Sequence, residues 1–243
     1  MMAVFGTMRM GAGKACAIDP AAGSRTFFLR ADGVPGTQPV TDDLGNPLTY
    51  YGSIGLSAVV PQKWPDYQST MRTEQSGRIV MPTAKWDLGI GGAPFSILMR
   101  LAIFGSVGPA AGVVLQNGAG AGSWGAGGIQ NHIWCPSPAL KWEFFGTGSP
   151  TVMTMPATSG SWNDHAFREL LITYDGTTTR GYCQGVQVAS VTGAYTKVAG
   201  TTACVGSDVA GGQSLYMAFN DLSVYGACIT TASSYTLPTL PPC

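Results

Sequence analysis

Glycine and proline interrupt this chain at short intervals, and that punctuation limits what it can fold into. There are 34 glycines and 16 prolines among 243 residues. Glycine costs a helix interior about 1 kcal/mol and proline about 3, so no long helix has room to form. What lies between the interruptions is strand-length and rich in β-branched and aromatic residues. Such runs are TFFLR at 26–30, LTYY at 48–51, SAVV at 57–60 and the GRIVMP stretch at 77–82, which stops at a proline.

The longest apolar run, PFSILMRLAIF at 94–104, lies between Gly92 and Gly105. It suits a strand buried on both faces; a buried helix is the other reading, but no N-cap and no 3.6-residue period support it. Residues 105–129, dominated by Gly and Ala, read as loop. The strand pattern resumes at Ile133-Trp134 and at KWEFF, 141–145. FRELLITY at 167–174 runs into Asp175-Gly176, expected as a hairpin turn with both central residues at positive φ. The chain returns over 177–183 and turns again at Gln184-Gly185 into VQVAS, 186–190. There alternation puts Val186 and Val188 on one face and Gln187 on the other. LYMAF at 215–219 and LSVY at 222–225 read as two further strands. About a dozen short strands and no convincing helix define an all-β, two-sheet antiparallel sandwich. Residues 1–25 read as an N-terminal arm, 26–236 as the sandwich, and the Pro-rich 237–243 as an extended tail.

The order of these strands resembles the laminin-G-like, concanavalin A-like jelly rolls, in particular those of bacteriophage virion proteins. The matching pieces are FLRADG (28–33), TDDLGN (41–46), IVMP (79–82) with WDLG (86–89), and FSILMR (95–100). The fullest piece is Trp162 with 167–174, Asp175-Gly176, Tyr182 and Gly185-Val186, and NDLSVY (220–225) resembles the closing strand. Two departures stand out: Gln184 replaces the usual Asp, and His165 is displaced from the tryptophan. Trp162 is expected as core. The resemblance implies a virion protein made in the host cytoplasm, a jelly-roll sandwich acting as capsid decoration, cement or accessory coat protein. Its partners would be other virion proteins, the major capsid protein or tail proteins, with the chain present in many copies or as a homo-oligomer. The alternative is a tail or fibre domain binding host glycan.

Composition points the same way. Thirteen Lys+Arg balance thirteen Asp+Glu, for a formal net charge of zero, and charged residues make up 11%, against about 25% ordinarily. A neutral chain lacks the basic surplus that phosphate recognition needs, so no nucleic-acid partner is expected. A surface this poor in charge tends to associate with other protein. No run of 18 apolar residues suggests a membrane span. Met1 to Met10 lacks a basic region ahead of its apolar run, and Ala15-Cys16-Ala17 is a faint match to a cleavage site, so an export signal is not expected.

Sequence offers little catalytic chemistry. His132 and His165 are the two histidines, and there is no Gly-x-Ser-x-Gly elbow. Glu143 and Glu169 each stand alone within their strands, without the paired carboxylate a glycosidase needs. No catalytic residue and no cofactor are expected. Calcium is the one metal considered, with Asp42, Asp43, Asp175, Asp208 and Asp221 as loop or strand-end oxygen donors, but no cluster supplies six to eight ligands; turn formation explains them equally. The six cysteines, Cys16, Cys135, Cys183, Cys204, Cys228 and Cys243, form no CxxC pair. They read as buried small hydrophobes or as one or two disulfides, with Cys135, Cys183, Cys204 and Cys228 as the possible partners. Trp124 and Trp134, flanking a Gly-rich stretch, are the candidate interface or glycan contacts; buried core is the competing reading.

Overall fold

The computed structural model describes residues 22–31, 33–58, 69–74, 77–106, 112–118, 129–136, 138–145, 150–195 and 202–236. These residues form strands joined by loops and three short 3-10 turns. The strands are β1 (Arg25–Arg30), β2 (Thr49–Tyr51), β3 (Ile54–Ser57), β4 (Thr70–Thr73), β5 (Arg78–Met81), β6 (Phe95–Ser106), β7 (Gly112–Gly118) and β8 (Ile129–Cys135). They continue with β9 (Leu140–Phe145), β10 (Pro150–Met155), β11 (Arg168–Tyr174), β12 (Thr178–Cys183), β13 (Val186–Thr192), β14 (Ala203–Val205) and β15 (Leu215–Tyr225). All pairings are antiparallel.

The first sheet runs β13-β12-β11-β6-β15-β4-β3, with β1 also on β15; the second runs β10-β9-β8-β7-β14-β5-β2. β6 is central to the first sheet, between β11 and β15. Its alternate residues Phe95, Ile97, Met99, Leu101 and Ile103 enter the core between the sheets, while Leu98 and Arg100 face the other way and are also buried. That explains an apolar run with no polar face. The core holds an aromatic centre: Tyr195 stacks on Phe144 at 4.2 Å between centroids and meets Phe95 edge-on at 5.4 Å. Its hydroxyl accepts a 2.7 Å hydrogen bond from the Trp142 indole. Trp162 is core, as expected: it is 1% exposed and its indole N–H donates to Met155 O at 2.9 Å.

Several expectations need correction. Residues 112–118 of the expected 105–129 loop are strand β7, which glycines at both ends disguise. The strand placed at 57–60 lies earlier, as β3, and 59–60 fall outside the described residues. β4, β10 and β14 carry no strand reading in the sequence. The two late strands are one, β15, whose register shifts at Tyr216/Met217 and Phe219/Asp221. The Asp175-Gly176 turn sits one residue later than expected. Asp175 N–H donates to Thr178 O at 3.3 Å, and Gly176, not Asp175, has positive φ (103°). Gly176-Thr177 are therefore the central pair, with glycine at the first position as in a type II′ turn. At the next turn both Gln184 (φ 52°) and Gly185 (φ 80°) are left-handed, as tight-turn chemistry requires. Val186 lies opposite core-facing Cys183 and Val188 packs on the core, while Gln187 lies opposite Tyr182 of the outer face, as alternation predicts; β13 is an edge strand whose register slips once, at Gly181/Tyr182, and Val186 at its start is 49% exposed.

Candidate functional site

The outer face of the second sheet carries the surface that best fits a contact role. Ile133 and Cys135 of β8, and Leu140, Trp142 and Phe144 of β9, point into the core. Alternation sends His132, Trp134, Lys141 and Glu143 outward. Register places His132 beside Glu143, Trp134 beside Lys141, and Val152 and Thr154 of β10 beyond them. The result is a three-strand patch centred on the half-buried Trp134 and bordered by Val152, 45% exposed.

Its polar groups are tied together. His132 Nε2–H donates to Glu143 Oε2 at 2.9 Å. The His132 ring lies 5.8 Å from the Trp134 ring, and Lys141 Nζ sits 5.2 Å from the centre of the indole, a cation–π distance. Burial works to raise the Glu143 carboxyl. The hydrogen bond and charge of His132, aided by Trp134 and Lys141, outweigh it and hold the group below its ordinary value. An aromatic plate with a cation and a hydrogen-bonded His–Glu pair beside it can stack on a flat apolar or sugar surface.

Of the tryptophans read as contacts, Trp134 stands in this patch; Trp124 falls outside the described residues. Sequence alone does not bring His132, Lys141 and Glu143 together as one site. The alternation in IQNHIWC and LKWEFF gives each strand's outward face, but not that the two strands are neighbours in this register. His165, at φ 70°, packs edge-on against Phe104 at 5.4 Å.

Glu143 and Glu169 lie on opposite sheets, each on an outer face. Packed sheets are about 10 Å apart, which separates the two beyond the roughly 5–9.5 Å of glycosidase carboxylates. Glu169 is instead buried with Arg100, Asp221 and Tyr235 on the first sheet.

The aspartates considered for calcium are occupied within their own surroundings. Asp42 accepts from the N–H groups of Phe28, Leu44 and Asn46 and from the Asn46 amide, and Asp43 accepts from Arg30 N–H. Asp175 accepts from Thr177, Thr178 and Arg180, Asp208 from Gly212 N–H, and Asp221 from Arg100. Among the described residues no three His, Cys, Asp or Glu side chains gather as a metal site.

Cys183, Cys204 and Cys228 are free thiols rather than disulfide partners, and Cys135 is buried in the core. The sheet arrangement explains the correction: Cys135 and Cys204 belong to β8 and β14 of the second sheet, Cys183 to β12 of the first. Cys204 Sγ lies 3.1 Å from Ser207 O and Cys228 Sγ 3.2 Å from Thr230 O, with Cys183 Sγ 3.6 Å from Thr158 Oγ1. Burial pushes the Cys204 thiol up to about 12, which leaves it inert. Cys16 and Cys243 fall outside the described residues.

No protein-family model and no curated protein matches the chain. Solved structures do. The binding domain of Paraclostridial Mosquitocidal Protein 1 is similar over 86% of this chain and 50% of that one, at 10% identity and a TM-score of 0.59. The binding domain of botulinum neurotoxin DC in complex with rat synaptotagmin II covers 86% and 49%, at 12% identity and 0.61. The same domain in complex with SialylT covers 85% and 49%, at 10% and 0.57. The chain thus spans about half of each. Likeness at this identity establishes a shared β-sandwich fold.

Proposed function

We propose that this chain is a non-enzymatic binding module of a tailed-phage virion, a capsid decoration, cement or accessory coat protein that grips neighbouring subunits. Its contact face is the outer surface of β8, β9 and β10 around Trp134. The observation that carries this reading is the patch itself: an indole and exposed Val152 beside a buried His132–Glu143 hydrogen bond. Such a surface can be desolvated at modest cost, and tryptophan is the residue most enriched at contact hot spots. The virion setting rests on the family resemblance of the strand order and on the sparse, balanced charge. Trp134→Ala and Lys141→Glu test it in a particle-attachment assay. Each weakens attachment at least about tenfold while near-ultraviolet circular dichroism keeps the folded signature; full attachment by both overturns the assignment of this face.

A second reading, a tail or fibre domain that binds host glycan, is favoured by one feature. Trp134 is a flat ring edged by hydrogen-bonding side chains, a geometry that suits a sugar face. One solved protein of the same fold was captured with SialylT. A glycan array with the purified chain separates the two: specific signal lost in Trp134→Ala selects the glycan reading.

A further inference from the structure

The outer face of the first sheet is covered by the chain itself. Past β15, residues 227–236 run back over β6, β11 and β12 as a strap. Ser96 Oγ donates to Ala227 O at 2.8 Å and accepts from Ile229 N–H at 3.0 Å; Tyr182 OH donates to Ala232 O at 2.8 Å. Gln187 N–H donates to Ser233 O at 3.0 Å, and Tyr235 N–H to Gly185 O at 2.8 Å. Beneath lies a second apolar cluster, Leu98, Leu171, Tyr182 and Tyr225, against which Ile229 and Tyr235 pack.

Beside that cluster the strap closes over a buried acid. Tyr235 OH donates to Glu169 Oε1 at 2.6 Å. Arg100 makes its short bond, 2.6 Å from Nη1, to Asp221, and reaches Glu169 from Nε at 3.4 Å. Glu169 is 6% exposed, so its charge would be held in a dry site by a long ion pair and one phenol. The charged and titratable groups facing it are Arg100 from β6, Asp221 from β15 and Tyr235 from the strap, with the Tyr182 phenol of β12 stacked edge-on against Tyr235 at 5.3 Å. From the β12–β13 turn, the Gln184 side chain accepts Glu169 N–H at 3.1 Å.

We propose that residues 227–236 are a proton-linked strap, seated while Glu169 carries its proton and loosened as Glu169 ionises, which uncovers the Leu98, Leu171, Tyr182 and Tyr225 cluster. Burial is the main influence raising the Glu169 carboxyl, and Asp221's negative charge adds to it; the Tyr235 and Arg100 contacts work against both. The sign follows. An acid whose carboxyl is raised in the closed state favours that state when neutral, so closure is strongest at low pH and weakens as pH rises through the raised value. The ionised carboxylate regains water when Tyr235 lifts, and Tyr235 is the strap's own contact with the site.

The test is hydrogen exchange at the Ile229 and Tyr235 amides of the full chain, corrected for intrinsic rate, from about pH 5 to about pH 8.5. Protection falls at least tenfold across that range in the unaltered protein, in step with a rise in binding of an apolar fluorescent dye, and stays level in Glu169→Gln. Level protection in the unaltered protein, or the same fall in Glu169→Gln, overturns the proposal. Should Glu169→Gln fail to fold, Asp221→Asn decides. It frees Arg100 for Glu169, so the fall moves to lower pH; an unmoved midpoint overturns the proposal.

Discussion

Asp175 shows how much one side chain does in this fold. Its Oδ1 accepts from Thr177 N–H and Thr178 N–H, both at 2.9 Å, and from the Thr177 hydroxyl, while Oδ2 takes Arg180 at 2.6 Å. The Arg180 bond, then those backbone donors, hold the carboxyl well below the usual carboxylate range. A lowered carboxyl lends stability that is complete above the unfolded value of about 3.9 and is lost as pH falls below it. Asp175→Asn should therefore cost about 1–2 kcal/mol in denaturant unfolding at neutral pH, with the gap to the unaltered protein narrowing below about pH 4; a constant gap contradicts this account of the turn. Gly185 sits at φ 80°, and a Cβ there would stand 2.6 Å from Tyr235 O. Gly185→Ala should destabilise by about 1–3 kcal/mol and lower exchange protection at Tyr235 more than at β6; uniform loss would show that the strap is not the weak point.

Among the elements, β6 was legible because its composition alone, apolar on both faces, states its place in the middle of a sheet. The turn at Gln184-Gly185 was legible through its glycine between two strand-length runs, although Gln184 stands at φ 52° where Asn, Asp or Gly is the usual residue. β4, β7, β10 and β14 were not: β7 is bounded by glycines, β14 is three residues long, β4 is four residues of mixed polarity and β10 is set off by prolines at both ends, so they pair where neighbours bring them. The same holds for the site. Trp134 could be singled out as a large aromatic, but its setting depends on β8 meeting β9 in one register, and Arg100 meets Asp221 across 121 positions of sequence. A strand's faces are encoded locally; its neighbours are set by packing of the whole sheet. Trp162 joins elements that the sequence leaves apart, with its N–H on Pro138 O at 3.1 Å and its indole on Met155 O. Trp162→Ala should lower stability by about 3–5 kcal/mol, read as a lower denaturant midpoint; a loss under about 1 kcal/mol would remove it from the core.

At the scale of the whole molecule, two sheets enclose one core and present two different outer faces. The first is covered over β6, β11 and β12 by residues 227–236; the second presents half-buried Trp134 and Lys141 and exposed Val152, with the His132–Glu143 pair buried beside them. That asymmetry is the basis for assigning the contact role to the second sheet. A density map of the intact particle tests it most directly. The account predicts a neighbouring virion subunit seated against β8, β9 and β10, with Trp134 at the contact. A map in which those strands face solvent while another surface makes the contact, or in which the chain is absent from the particle, would contradict it.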